Sequence, residues 1–163
     1  MFFPSFTLWP VLHGCESVPK MLPLPSPSLF QKTLDEMGLG KGEQLQNAII
    51  TKIKRKDHTY TLSIQHIPQK DILYVSINNY LWIDQSQSPS ATAFTLTQIA
   101  TLNYQVVGGK FQLNPQNGAI TLGSETYVVN GIDIDNLKLC INGLINIADE
   151  NREYLQYALK IKP

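Results

Sequence analysis

Hydrophobic positions repeat along this chain with two periods, and the alternation between them predicts its elements. Phe30, Leu34 and Met37 recur at i, i+4 and i+7, which predicts a short helix over Leu29–Met37. Ser28 stands where an N-cap belongs, and Gly38 where a left-handed C-terminal residue belongs. The following Gly38-Leu39-Gly40-Lys41-Gly42 reads as a flexible connection. Period two then takes over. Ala48–Arg55 alternates, a turn at Lys56-Asp57 follows, and Thr59–Ile67 sets Tyr60, Leu62, Ile64 and His66 on one face before Pro68 ends it. Ile72–Ile83 carries the strongest strand pattern. Leu73, Val75, Ile77, Leu81 and Ile83 point one way, with Asn79 the only polar interruption, and Tyr74, Ser76, Asn78, Tyr80 and Trp82 point the other.

Helical spacing returns after a polar loop at Gln85–Ser90. Ala93, Leu96, Ile99, Ala100 and Asn103 predict a helix over Ala91–Tyr104, against the lowered propensity of Thr92, Thr95, Thr97 and Thr101. Gly108-Gly109 breaks the chain. Lys110–Leu113 and Ala119–Val129 read as a hairpin around Asn114-Pro115-Gln116-Asn117-Gly118, where the Asn-Gly pair tolerates positive φ. Asp133 caps a last helix reaching about Lys160, striped by Leu137, Ile141, Leu144, Ile145, Ala148 and Leu155. The order α-β-β-β-α-β-β-α predicts an α+β fold, with an antiparallel sheet packed against helices and no βαβ repetition.

Composition narrows the function classes. The 163 residues carry 13 basic and 13 acidic side chains, so no overall field draws the chain to nucleic acid or anionic lipid. The length suits one domain with its own core. Cys15 and Cys140 form no metal or disulfide pattern, and none of the 11 asparagines begins a glycosylation sequon, in keeping with a reducing cytoplasm. The longest charge-free run, Gln85–Gly109, is too rich in Gln, Ser and Thr to cross a bilayer. Six of the 10 prolines fall within residues 1–27, which read as a disordered arm or an over-long gene start, leaving 28–163 as the domain. The arm's apolar residues lack the charged flank and unbroken run of a signal peptide, and its aromatics could instead cover a groove on the body.

The element order, together with Leu102-Asn103-Tyr104, Gly109-Lys110-Phe111, Leu113-Asn114 and Gly118 ahead of a long C-terminal helix, resembles the YbjN family, a branch of the type III secretion chaperone-like fold. An aspartate is more typical of that family where Asn114 stands. The resemblance implies a structural motif at Asn103, Gly109, Phe111 and Gly118, a homodimer, and an unidentified protein partner, with no catalytic residues and no cofactor.

Candidate chemistry is sparse. The glycines around Lys41 lack the spacing of a phosphate loop. His13, His58 and His66 fall on separate elements, and a lone histidine among Tyr60, Leu62 and Ile64 reads as a core residue. No metal site is expected. Cys140 reads as a small buried hydrophobe, and Asp149, Glu150 and Glu153 with Arg152 as a solvated helix face. Lys52, Lys54, Arg55 and Lys56 place four basic residues within five positions. They fit a solvated hairpin tip, a nucleic-acid contact or an acidic protein partner. Tyr74, Tyr80 and Trp82 form an aromatic sheet face, either covered within the monomer or available to a client or a second copy. The expected function is therefore a non-enzymatic protein-interaction domain that binds an extended segment of a partner. The alternative is a nucleic-acid-associated regulator working through Lys52–Lys56.

Overall fold

The computed structural model describes residues 22–83, 89–128 and 130–159. Helix α1 spans Pro27–Glu36, and its cap is Ser26, whose hydroxyl accepts from the Leu29 amide at 3.2 Å. Pro27 explains why the cap lies before Ser28: a residue with no N–H and a fixed φ suits the first helical position. The disordered-arm reading does not extend over residues 22–27. The Ile132 amide donates to the Pro23 carbonyl at 2.8 Å, holding the chain from Leu22 onward against the body. The arm reading for 1–21 lies outside the described residues.

The Gly38–Gly42 connection is tied down. Gln31 donates to the Gly40 carbonyl at 3.2 Å and accepts from the Gly42 amide at 2.9 Å. It leads into β1 (Glu43–Gln44), a strand too short to leave a periodic signature. Then come β2 (Ala48–Lys54), β3 (Thr59–Ile67), a single 3-10 turn at Pro68–Lys70, and β4 (Ile72–Trp82). Helix α2 (Pro89–Gln105), β5 (Lys110–Leu113), β6 (Ala119–Tyr127) and α3 (Ile134–Ala158) complete the order. The six strands form one antiparallel sheet in the order β1-β2-β3-β4-β6-β5.

All three described helices pack on one face of this sheet. Phe30 and Leu34 of α1, Ile99 and Leu102 of α2, and Leu137, Ile141, Leu144 and Ile145 of α3 join Ile49, Leu62, Ile64, Val75, Ile77, Ile120 and Leu122 in one core. The buried face of α2 runs through Thr95, Ile99 and Leu102, leaving Leu96 half exposed, so the helix is turned from the orientation its spacing predicts. Its threonines fit because Thr97 and Thr101 donate to carbonyls one turn back, Ala93 at 3.0 Å and Thr97 at 2.9 Å. No described helix lies on the other sheet face. There the row Ile50, Ser63, Ser76, Gly123 crosses β2, β3, β4 and β6 with small residues at its centre.

Candidate functional site

Strand β4 does not keep its alternation. Ile77 pairs with Leu122 and Leu81 with Ile120, so residues 78–80 stand opposite Thr121 alone. Asn79 takes up the difference with φ +50°, a left-handed conformation that asparagine tolerates better than most residues. The bulge turns Asn79 outward and Tyr80 inward. The expected face of Tyr74, Tyr80 and Trp82 is therefore corrected: Tyr80 is 3% exposed and belongs to the core. Its hydroxyl donates to the Ala148 carbonyl at 2.5 Å, and its ring lies between Tyr60 and Phe111, with centroids 5.8 and 5.7 Å away. Tyr74 and Trp82 remain on the outer face. Tyr74 lies across Gly123, where its ring leaves no room for a Cβ, and donates to Gln112 at 3.2 Å. Burial, helped by the Glu125 charge, raises the Tyr74 phenol above its ordinary value. Trp82 is 51% exposed.

The basic hairpin divides in a similar way. Lys52 and Lys54 lie exposed on the outer face of β2, and Lys56 is exposed at the tip. Arg55 turns toward α3, where its Nε stands 3.4 Å from Asp149. The same carboxylate accepts from the Tyr60 hydroxyl at 2.9 Å and lies 3.6 Å from His58 Nε2. Arg55 Nε and His58 Nε2 are both buried without a hydrogen-bond partner. Burial, the bond to Asp149 and the negative charge of Asp149 push the Tyr60 phenol far above its ordinary value. Arg152 completes the group. Its guanidinium donates to the Tyr80 carbonyl at 3.0 Å and lies 5.8 and 5.7 Å from the Tyr60 and Tyr80 ring centroids. Arg55, His58, Asp149 and Arg152 line a cleft of about 670 Å³ between the β2–β3 hairpin and α3, with Tyr60 buried behind it.

Asp149 and Arg152 are thus not a merely solvated face, and the sequence separates Asp149 from Tyr60 by 89 positions. Their only local signal is their place beside Ala148 on the buried stripe of α3. The cleft brings a histidine near a carboxylate but includes no serine, threonine or cysteine. The Tyr60 phenol, its ionisation suppressed, is a poor substitute nucleophile. Among the described residues no histidine, cysteine or carboxylate cluster fits a metal ion, and no helix is long and apolar enough to cross a membrane.

The motif residues have structural roles. Asn103 donates to the Phe111 carbonyl at 2.9 Å and accepts from the Phe111 amide at 2.7 Å. Gly109 sits where a Cβ would press on Leu144, Ile147 and Leu122, Phe111 is a core residue, and Gly118 turns the hairpin at φ +72°. Cys140 is half-buried rather than fully buried. Burial raises its thiol above the ordinary value, and a bond with Ser124 opposes the shift.

No family model matches the chain, and no curated protein matches it. Solved structures do. YbjN from E. coli, described as a candidate transcription regulator, superposes with a TM-score of 0.57 at 14% identity, covering 82% of this chain and 96% of its own. An uncharacterised protein from Methanothermobacter thermautotrophicus gives 0.56 at 14% identity, covering 81% and 97%. The ExsC–ExsE complex gives 0.52 at 9% identity, covering 82% and 97%. The six-stranded antiparallel sheet with its helices on one side is the YbjN-like, type III secretion chaperone-like α+β fold.

Proposed function

We propose that this chain is a non-enzymatic, cytoplasmic protein-interaction domain that holds an extended segment of a partner protein on the helix-free face of its sheet. One observation carries this reading: the face left without a described helix presents half-exposed Trp82 and the Tyr74 ring beside a row of small residues. Trp and Tyr are among the side chains that binding hot spots favour. Tyr80 is withdrawn from the proposed contact set. Capture on the face is favoured over pairing at β5, because Asn103 already bonds the outward amide and carbonyl of Phe111. The ExsC–ExsE neighbour is itself a two-protein complex, in keeping with such a role.

The test is site-specific photocrosslinking in native lysate, with benzoylphenylalanine in place of Trp82 in the full chain. A single stoichiometric protein that disappears when Tyr74→Ser is added supports the reading. The same background with and without Tyr74→Ser overturns it.

The proposed assembly is a homodimer through the outward side of α2, where Phe94, Leu96 and Tyr104 are 52%, 49% and 92% exposed. Sedimentation equilibrium should give twice the 18.3 kDa chain mass, and Phe94→Ser should return it to 18.3 kDa. A wild-type chain that sediments at its monomer mass rejects the dimer. The nucleic-acid reading of Lys52–Lys56 is weaker, since Arg55 is held by Asp149. Salt-sensitive binding of single-stranded DNA at about 50 mM salt would revive it.

A further inference from the structure

We infer that the cleft between the β2–β3 hairpin and α3 is a carboxylate-binding site that takes an acidic side chain of an extended protein segment. The inference deepens the protein-binding reading and rests on it for the class of partner. Its centre is Arg152. The Tyr60 and Tyr80 rings attract its charge but leave its remaining N–H donors without an acceptor. Arg152 makes no ion pair among the described residues, and its only hydrogen bond is to the Tyr80 carbonyl. The nearby carboxylate of Asp149 is engaged by Tyr60, Arg55 and His58. The remaining donors of Arg152 are a planar fork, pre-positioned on two rigid rings and open to a cleft large enough for a side chain.

The rim indicates which anion. Lys54 and Lys56 stand exposed at the hairpin end of the cleft and would draw an acidic segment toward Arg152. Asp57 and Glu153 share that rim. A uniformly charged polyanion such as nucleic acid would meet these carboxylates, whereas one Glu or Asp side chain in a mixed segment can avoid them.

The probe is a fluorescein-labelled extended peptide with a single Glu among Ser and Thr residues, titrated by fluorescence anisotropy against the full chain at low salt. Saturable binding is expected, weakened about tenfold by Arg152→Gln, as fits the loss of a charge-assisted hydrogen bond. Because Arg152 also bonds the Tyr80 carbonyl, circular dichroism checks that Arg152→Gln folds. Lys54→Glu with Lys56→Glu, both on exposed side chains, gives a second loss that no folding defect explains. Lys70→Glu, on the distant 3-10 turn, should leave affinity unchanged. No binding of this peptide overturns the inference, as does equal weakening by Lys70→Glu, or tighter binding of a single-stranded oligonucleotide at the same salt. If peptide binding fails while the Trp82 crosslink survives, the cleft alone is refuted. If the crosslink fails while Arg152-dependent peptide binding persists, the sheet-face reading falls and the cleft stands.

Discussion

Tyr80 and Trp82 are neighbours in the alternation of one strand, yet they answer different physics. Tyr80 contributes a buried ring and a hydrogen bond to Ala148, whereas Trp82 leaves half its surface in water. Tyr80→Ser should therefore cost about 3–5 kcal/mol in urea unfolding, as large-to-small aromatic core changes do. Trp82→Ser should cost about 1 kcal/mol or less, as surface changes do. Equal costs would mean that Trp82 is packed as tightly as Tyr80. Cys140 belongs to the same scale. Its thiol is raised by burial, so less of it is thiolate at any given pH. In a Cys15→Ser background, iodoacetamide should label it more slowly than a free thiol at about pH 8, and labelling as fast as the free thiol would contradict its burial.

At the scale of elements, periodicity carried most of the fold. The strands β2, β3, β5 and β6 and the stripe of α3 lie where alternating or helical spacing puts them. Three features escaped it for definite reasons. Strand β1 has only two residues, too few for a period. The bulge in β4 depends on Asn79 adopting positive φ, and the adjacent pair Asn78-Asn79 was its only local trace. The cleft joins residues of a hairpin and a distant helix, and no local spacing encodes such a meeting. The motif around Gly109 was visible as a pattern, but its reason is steric and needs the folded neighbours. Gly109→Ala should destabilise by about 1–3 kcal/mol, because a Cβ would stand 3.0 Å from a Leu144 methyl. A thermal scan showing no loss would mean that α3 can retreat from β5 at no cost.

For the molecule as a whole, two phenols fasten the sheet to its longest helix: Tyr60 through Asp149 and Tyr80 through the Ala148 carbonyl. Both are held neutral above the ordinary tyrosine value of 10.0, chiefly by burial. A raised native value means the unfolded chain releases these protons first. Their contribution is thus intact below pH 10 and is lost progressively as pH rises toward the native values. Urea midpoints should hold steady from about pH 8 to the free tyrosine value and fall beyond it, and a flat profile to about pH 11 would refute the coupling. Asn103 has a consequence at this largest scale too. A sheet ending in bare backbone invites another molecule's strand, and then another, toward filaments. Here an amide side chain imitates the missing neighbour at Phe111, while Lys52 and Lys54 guard the strand beside β1 at the opposite end with like charge. Both ends of the sheet are thus blunted against the addition of a further strand. Asn103→Leu should leave the hairpin folded but raise light scattering with concentration and time, whereas wild-type-like scattering would mean that the β5 edge needs no guard.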